Sequence, residues 1–331
     1  MKRKCLAVGI ILLFVGTCIV PSIAQNIEKP SQTTSRGNWL YVGGSGPGNY
    51  TKIQDAIDNA SDGDTVFVYD DSAPYYEEVW IRKSISLIGE NKNTTNIIWR
   101  GGRYALTIYQ TEHVIISGLK FNNSSNGVQV YESNNSIISE NIIEDNFFNL
   151  YMAHSNNITI KNNSIHHGSG EGILFFPSCN HNLIIDNIFS QNPEGAIDFL
   201  DDNKYNIIKN NTFIRNSLNA IDLSDGENYN LIQGNKILET AGNGIIIWSS
   251  FNNIVKDNFV SNGTTDGIVL IDSSNNTVQN NSVYNNTHVG ISLEGELTIN
   301  NIVKNNIIVN NKRHGIYLMW ADNNTIQDRG F

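Results

Sequence analysis

The stretch Asn275-Asn276-Thr277-Val278-Gln279-Asn280-Asn281-Ser282-Val283, followed by Gly290-Ile291-Ser292-Leu293, is the unit from which most of the chain is built. Asn281 belongs to a series. An Asn recurs at positions 141, 163, 187, 211, 235, 258, 281 and 306, at nearly constant spacing. Two residues after each stands an apolar side chain, such as Ile143, Phe213 and Val283. Three residues before each stands another, such as Ile138, Ile208 and Val278. A small residue marks a second position, at Gly127, Gly172, Ala196, Ala220, Gly244, Gly267, Gly290 and Gly315, with Asn149 filling one place. Behind it run two apolar columns, from Val128 to Ile316 and from Val130 to Leu318, separated by a position of variable character.

Apolar residues two apart mark strands with one buried face. A unit of this length holds three short strands and three tight turns, and it cannot bury its apolar face alone. Stacked units, one strand spacing of ~4.8 Å apart, form a continuous core. The expected fold is therefore all-β, a parallel solenoid with about three strands per coil. The recurrent Asn is expected at a bend, where its amide bonds the Asn of the next coil. Leucine-rich repeats are excluded because no Leu skeleton is present. A propeller blade of ~40 residues would make alternate repeats differ, and they do not.

Composition agrees. The 331 residues include 51 Asn and 46 Ile. Such a chain is poor in helix formers and too apolar to be disordered. The formal net charge of −10 argues against nucleic acid or an anionic membrane surface as partner.

The first residues read as an address. Lys2, Arg3 and Lys4 precede an uncharged run from Leu6 to Val20, and Ser22-Ile23-Ala24 supplies small residues for cleavage. Residues 1–24 are expected to be a signal peptide and 25–38 a flexible linker, which makes the mature protein secreted or periplasmic. Only Cys179 then remains, so no internal disulfide forms. The Asn-x-Ser/Thr sequons, such as Asn157-Ile158-Thr159, read as by-products of the repeat.

Residues 39–110 read as an N-terminal cap and first coils. Thr51-Lys52-Ile53-Gln54 has the spacing of a capping box. Ile53, Ala56, Ile57 and Ala60 fall on one helical face, Gly63 ends the helix, and 65–69 is the expected first strand. Residues 111–331 are the repeats, with an incomplete last coil opening at Asn323. Trp320 and Phe331, a second copy or a missing C-terminal domain would cover that open end.

Chemistry must lie on the surface columns. The variable position of the Gly-led strand brings Asp198 and Asp222 together on consecutive coils, and Asp201 and Asp225 repeat the pairing just beyond, with Asp202 and Glu227 nearby. Carboxylates ~5 Å apart repel, which raises one pKa and makes it a candidate acid. The four Asp residues are candidate catalytic groups, or oxygen ligands for calcium. Tyr131, Tyr151 and Phe176 on one side, and Trp248, Tyr317 and Trp320 on the other, offer flat faces for sugar binding.

The repeat strings resemble the right-handed parallel β-helix repeats of NosD-type periplasmic proteins and of the pectate-lyase superfamily, over about residues 39–328. The resemblance implies a right-handed helix. Thr265-Asp266-Gly267 looks like part of the polygalacturonase Asn-Thr-Asp-Gly motif, but the Asp pair expected one coil later is Val289-Gly290-Ile291-Ser292, and His167-Gly168 comes several coils too early. Arg215, the base a pectate lyase would need, is expected to face elsewhere. NosD-type proteins are linked to copper-site assembly, yet His154, His166, His167, His181, His288 and His314 are scattered in sequence. Three readings follow: an exported, non-catalytic glycan-binding or cell-surface module; a polysaccharide hydrolase or lyase centred on Asp198 and Asp222; and an accessory protein in metal-site maturation.

Overall fold

The computed structural model describes residues 37–327. The expected leader, and the expected linker up to residue 36, lie outside the described residues. Strand β1 (Trp39–Val42) precedes helix α1 (Ile53–Asn59) and strand β2 (Thr65–Val68). β1 lies parallel on β2, from Trp39 on Thr65 to Val42 on Val68. The first strand is thus β1 and not the 65–69 segment. Its four residues, cut off by Gly43 and Gly44, fall outside the repeat pattern.

From β1 the chain winds into three parallel sheets, a first of 13 strands and a second and third of 11 each. One coil runs Ile207–Lys209 in the first sheet, Thr212–Ile214 in the second and Ile221–Ser224 in the third. Its neighbours in every sheet come from the coils before and after. Equivalent side chains therefore stack. Phe175 lies on Phe199 with ring centroids 4.2 Å apart, and Phe189 on Phe213 at 4.9 Å. The apolar columns fill the interior, and Ile197, Phe199, Ile221 and Leu223 are fully buried. At the last coil the column opens, with Leu318 and Ile326 exposed.

The Asn column behaves as expected. The backbone N–H and the Nδ2 of Asn163 both donate to Asn187 Oδ1, at 2.9 and 3.0 Å. Asn187 repeats this on Asn211, and its amide also bonds the Ile160 carbonyl at 2.8 Å. Buried backbone donors at the bend are thus satisfied at every turn. A second ladder of backbone-to-amide bonds runs through Asn182, Asn206, Asn230, Asn253, Asn276 and Asn301, just ahead of the first in each coil. Next to the ladders, Asn210, Asn280 and Asn305 hold φ of 54 to 56°, a left-handed conformation that Asn tolerates better than most residues. Ladders and bends together account for the Asn content.

Helix α1 departs from the expected cap. Lys52 is its N-cap and makes no side-chain bond. Glu77 caps it from across the fold, accepting from Ile53 N–H at 2.9 Å and Gln54 N–H at 3.1 Å. Gln54 is drawn away to Trp80 N–H, at 2.7 Å, so no capping box forms. The helix ends at Asn59, and Gly63, at φ 87°, shapes the turn into β2. Its apolar face behaves as expected, burying Ile53, Ala56 and Ile57. Trp320 does not cover the far end, since it is 72% exposed, and Phe331 lies outside the described residues. No helix among the described residues is long and apolar enough to cross a membrane.

Candidate functional site: a carboxylate groove on the third sheet

Asp198 pairs directly with Asp222 across neighbouring strands of the third sheet. Their column faces away from the core but is not a bare surface. Leu174, Ile246, Val269 and Ser292 in the same column are buried, and so are Ala153 and Ser224 in the next outward column. The two aspartates are half-buried and line a groove of about 240 Å³ with Glu171, Glu194, Gly195, Leu218 and Asn219. None of these lining residues is basic. The additional acids come from the turns that enter the strands.

The two carboxylates differ in their partners. Asp222 accepts from the Asn219 amide at 2.9 Å and from the Ser224 hydroxyl. Asp198 Oδ1 is buried and has no hydrogen-bond partner among the described residues. Burial, then the Asp222 carboxylate and Glu171, push Asp198 up to about 7. Burial also raises Asp222, against the bonds from Ser224 and Asn219. Burial and Glu194 raise Glu171. The sequence suggests mutual repulsion as the cause, but desolvation is the larger effect. Burial thus favours the proton-bearing form of these carboxyls, and such a group can both donate to and accept from a hydroxyl.

Asp201 and Asp225 stand apart. They occupy exposed left-handed bends at the exit of the strands, with φ of 66° and 65°, and Asp225 touches Asp222 only through its charge. The four Asp residues are thus not brought to one place: Asp198 and Asp222 line the groove with Glu171 and Glu194, while Asp201 and Asp225 stand outside it. Asp202 is paired with Lys204 at 2.6 Å. Glu227 is fully buried and structural. It takes a ladder position, accepts from Asn203 N–H and Nδ2 at 2.6 and 3.1 Å, and burial pushes it up to about 8. Arg215 sits at a bend on the second sheet, bonded to Glu239 at 2.7 Å.

The aromatic candidates split in two. Trp248 is 46% and Phe176 38% exposed. Trp248 stands on the strand next to Ser224, with the exposed Leu218 of the groove rim one coil earlier. Tyr131 stacks on Tyr109 at 5.8 Å, Tyr151 packs between Tyr104 and Phe176, and Tyr317 stacks on His314 at 5.4 Å. One face of each of these tyrosines is therefore taken.

Two clusters escape sequence reading. Further along the third sheet, Asp266, His288, Glu294, Arg313, His314 and Tyr317 line a pocket of about 250 Å³, and Val289 N–H donates to Asp266 at 2.8 Å. On the second sheet, Glu144, His166 and His167 bring one ligand atom each to within 4.8 Å of one another. The histidines are thus not all scattered. The adjacent pair His166-His167, with Glu144 one coil earlier, was the available signal, and it needs the coil register to be seen.

Comparison with known proteins fits this architecture. The family described as "Periplasmic copper-binding protein (NosD)" matches residues 37–230, and "Right handed beta helix region" matches residues 199–331. No curated protein matches the chain by sequence. Among solved structures, the A-module of Azotobacter vinelandii mannuronan C-5 epimerase AlgE6 superposes with a TM-score of 0.70 at 15% identity, covering 84% of this chain and 94% of that one. The Dettilon tailspike protein gives 0.67 at 15%, covering 85% and 68%. The catalytic unit of a GH87 α-1,3-glucanase from Streptomyces thermodiastaticus gives 0.64 at 14%, covering 84% and 65%. At these identities the likeness is one of fold.

Proposed function

This chain belongs to the NosD family of periplasmic copper-binding proteins, and from that premise we propose that it is an exported solenoid that binds a polysaccharide along the outer face of its third sheet. A periplasmic family fits a protein that meets envelope and extracellular glycans, and a sheet of 11 parallel strands offers a long face to an extended polymer.

The single observation that carries the reading is the Asp198–Asp222 pair, which lines the groove and in which one carboxylate oxygen of Asp198 is buried without a donor among the described residues. Leaving such an oxygen unpaired costs about 1–3 kcal/mol. A sugar hydroxyl seated in the groove would hydrogen-bond the carboxyls that line it, and Asn219 and Glu194 offer further polar contacts. Leu218 and Trp248 provide apolar surface for the C–H face of the ring. Fold neighbours named for mannuronan and for α-1,3-glucan support a sugar ligand as a class without specifying which sugar. Binding without chemistry is the reading we favour over a lyase, which would need a base and a cation beside the acids, and the assay for released sugars below decides between binding and hydrolysis by the carboxyl pair.

A glycan array with the purified chain tests the reading. Wild-type protein should label a restricted set of polysaccharides. The double variant Asp198→Asn, Asp222→Asn should lose at least tenfold in affinity for that set, with an unchanged fold by circular dichroism. Release of reducing ends or unsaturated sugars from a bound glycan would instead make the groove a hydrolase or lyase site. An array with no labelled glycan would sink the proposal.

A further inference from the structure

We infer that the outer face of the first sheet is a docking surface for a linear acidic polysaccharide, held between a row of lysines and a ridge of stacked rings. This face lies on a different sheet from the carboxylate groove, and the inference does not rest on the groove reading.

The coil register builds the row. Lys161, Lys209, Lys256 and Lys304 occupy one outward column on alternate coils, with Ile185, Gln233 and Gln279 between them. Two strand spacings set neighbouring lysines roughly 9.6 Å apart. Each is half-buried, as an alkyl stem lying on the sheet with its ammonium in water would be. None of the four has an ion pair or a side-chain hydrogen bond among the described residues. Neither outward column of this sheet contains an acid, from Trp39 and Tyr41 at one end to Thr325 and Gln327 at the other. Asp186 and Asp257 stand beyond the strands, at left-handed bends, and Asp257 accepts from the Gln233 amide at 3.1 Å. Like charges kept off adjacent strands explain the alternation, but an acid between two lysines would stabilise the sheet further. In a chain with 32 acidic and 22 basic side chains, an acid-free face is a segregation of charge.

The other outward column is apolar along the same coils, at Leu183, Ile207, Leu231 and Ile254, and Ile207 and Ile254 are exposed. Beyond it, the residue two places before each strand holds a left-handed bend. That residue is Asn at 157, 252, 275 and 300, but His181, Tyr205 and Tyr229 on three consecutive coils. A bulky ring is an outlier in this conformation, and such strain gathers at ligand sites. The three rings stack, with centroids 5.0 and 5.2 Å apart and planes tilted by 5° and 11°, and both tyrosines are exposed. This geometry selects the ligand. A linear polymer with regularly repeated acid groups keeps pace with the lysine row, whereas a small anion meets one lysine. The apolar column takes the C–H faces of sugar rings, and the phenol groups bond sugar hydroxyls. Single-stranded nucleic acid needs free ring faces on which to stack its bases, and in the ridge the facing sides of the rings are taken by one another. The carboxyls of the third-sheet groove repel an acidic polymer, so the groove reading concerns uncharged glycans and this one acidic glycans.

The test is calorimetric titration of the full chain with polygalacturonate and with dextran sulfate, which separate carboxylate from sulfate recognition, and with dextran as the uncharged control. Wild type should bind at least one of the acidic polymers, at least tenfold more tightly than dextran and with an affinity that falls as salt is added. The double variant Lys209→Gln, Lys256→Gln should weaken that binding at least tenfold and flatten its salt dependence, and Lys209→Arg, Lys256→Arg should retain it. Tyr205→Asn, Tyr229→Asn gives these bends the residue of other coils, so it should melt no lower than wild type and yet lose severalfold in affinity. Asp198→Asn, Asp222→Asn should bind the acidic polymer at least as well as wild type, so this inference and the groove reading fail separately. No binding of either acidic polymer, equal binding of dextran, binding untouched by the Lys→Gln or the Tyr→Asn variant, or tighter binding of single-stranded oligo(dT) or of phosphatidylglycerol vesicles would each overturn the inference.

Discussion

Asp198 and Asp222 are register partners on adjacent strands, yet only Asp222 is hydrogen-bonded at both oxygens. The difference lies in the repeat. Asn219 and Ser224 serve Asp222, while the equivalent positions one coil earlier are Gly195 and Leu200, which offer no side-chain donor. Restoring a donor by Leu200→Ser should lower the Asp198 pKa from about 7 by about one unit or more. Carboxyl titration by NMR reads this directly, and an unmoved value would mean that burial alone sets it.

The same carboxyl makes stability depend on pH. Its folded value of about 7 lies above the ordinary carboxylate value of ~3.9. Between these values the folded state binds more protons than the unfolded state, so stability falls as pH rises from about 4 to about 7. Asp198→Asn should remove that part of the slope and stabilise the protein at pH 8 by about 1–2 kcal/mol, a figure kept small because one side of the groove is open. Urea melts at pH 5 and pH 8 check it; a variant with the full wild-type slope would contradict the account.

Ladder positions should be far more sensitive than the bends beside them. Asn187→Ala strips Asn163 of its acceptor and Ile160 of its donor, all buried, and should cost about 2–5 kcal/mol. Asn210→Gly, at φ 54°, keeps a conformation glycine adopts freely and should change stability by less than about 1 kcal/mol. Chemical denaturation of the two variants decides whether the Asn repeat is structural at the ladder or at the bend.

The helix cap gives a clean local contrast. Glu77→Ala removes the acceptor for Ile53 and Gln54 N–H and should lower stability by about 1 kcal/mol. Thr51→Ala should do almost nothing, although the sequence spacing singles out Thr51. Equal losses in the two variants would restore the capping box.

The solenoid was legible because stacking repeats one environment in every coil. Ile208, Ile232 and Val255 are buried by the same neighbours, so periodicity reports burial directly. Asp198 beside Asp222 followed from that register. What stayed hidden depends on contacts between unlike positions. Glu171 and Glu194 belong to irregular turns, Glu77 reaches the helix from the link between two later strands, and Glu144 meets His166 only through the stacking of one coil on the next. Asp201 and Asp225 share the periodicity of Asp198 and Asp222, but they lie beyond the strand end, where the bend turns them to solvent.

The most direct measurement is a hydrogen-exchange footprint of the protein with and without an oligosaccharide fragment of an array-positive glycan. The account predicts added protection at residues 195–200 and 219–224 on the third sheet, with the first and second sheets unchanged. Protection confined to another face, or a footprint that persists unchanged in Asp198→Asn, Asp222→Asn, would contradict it.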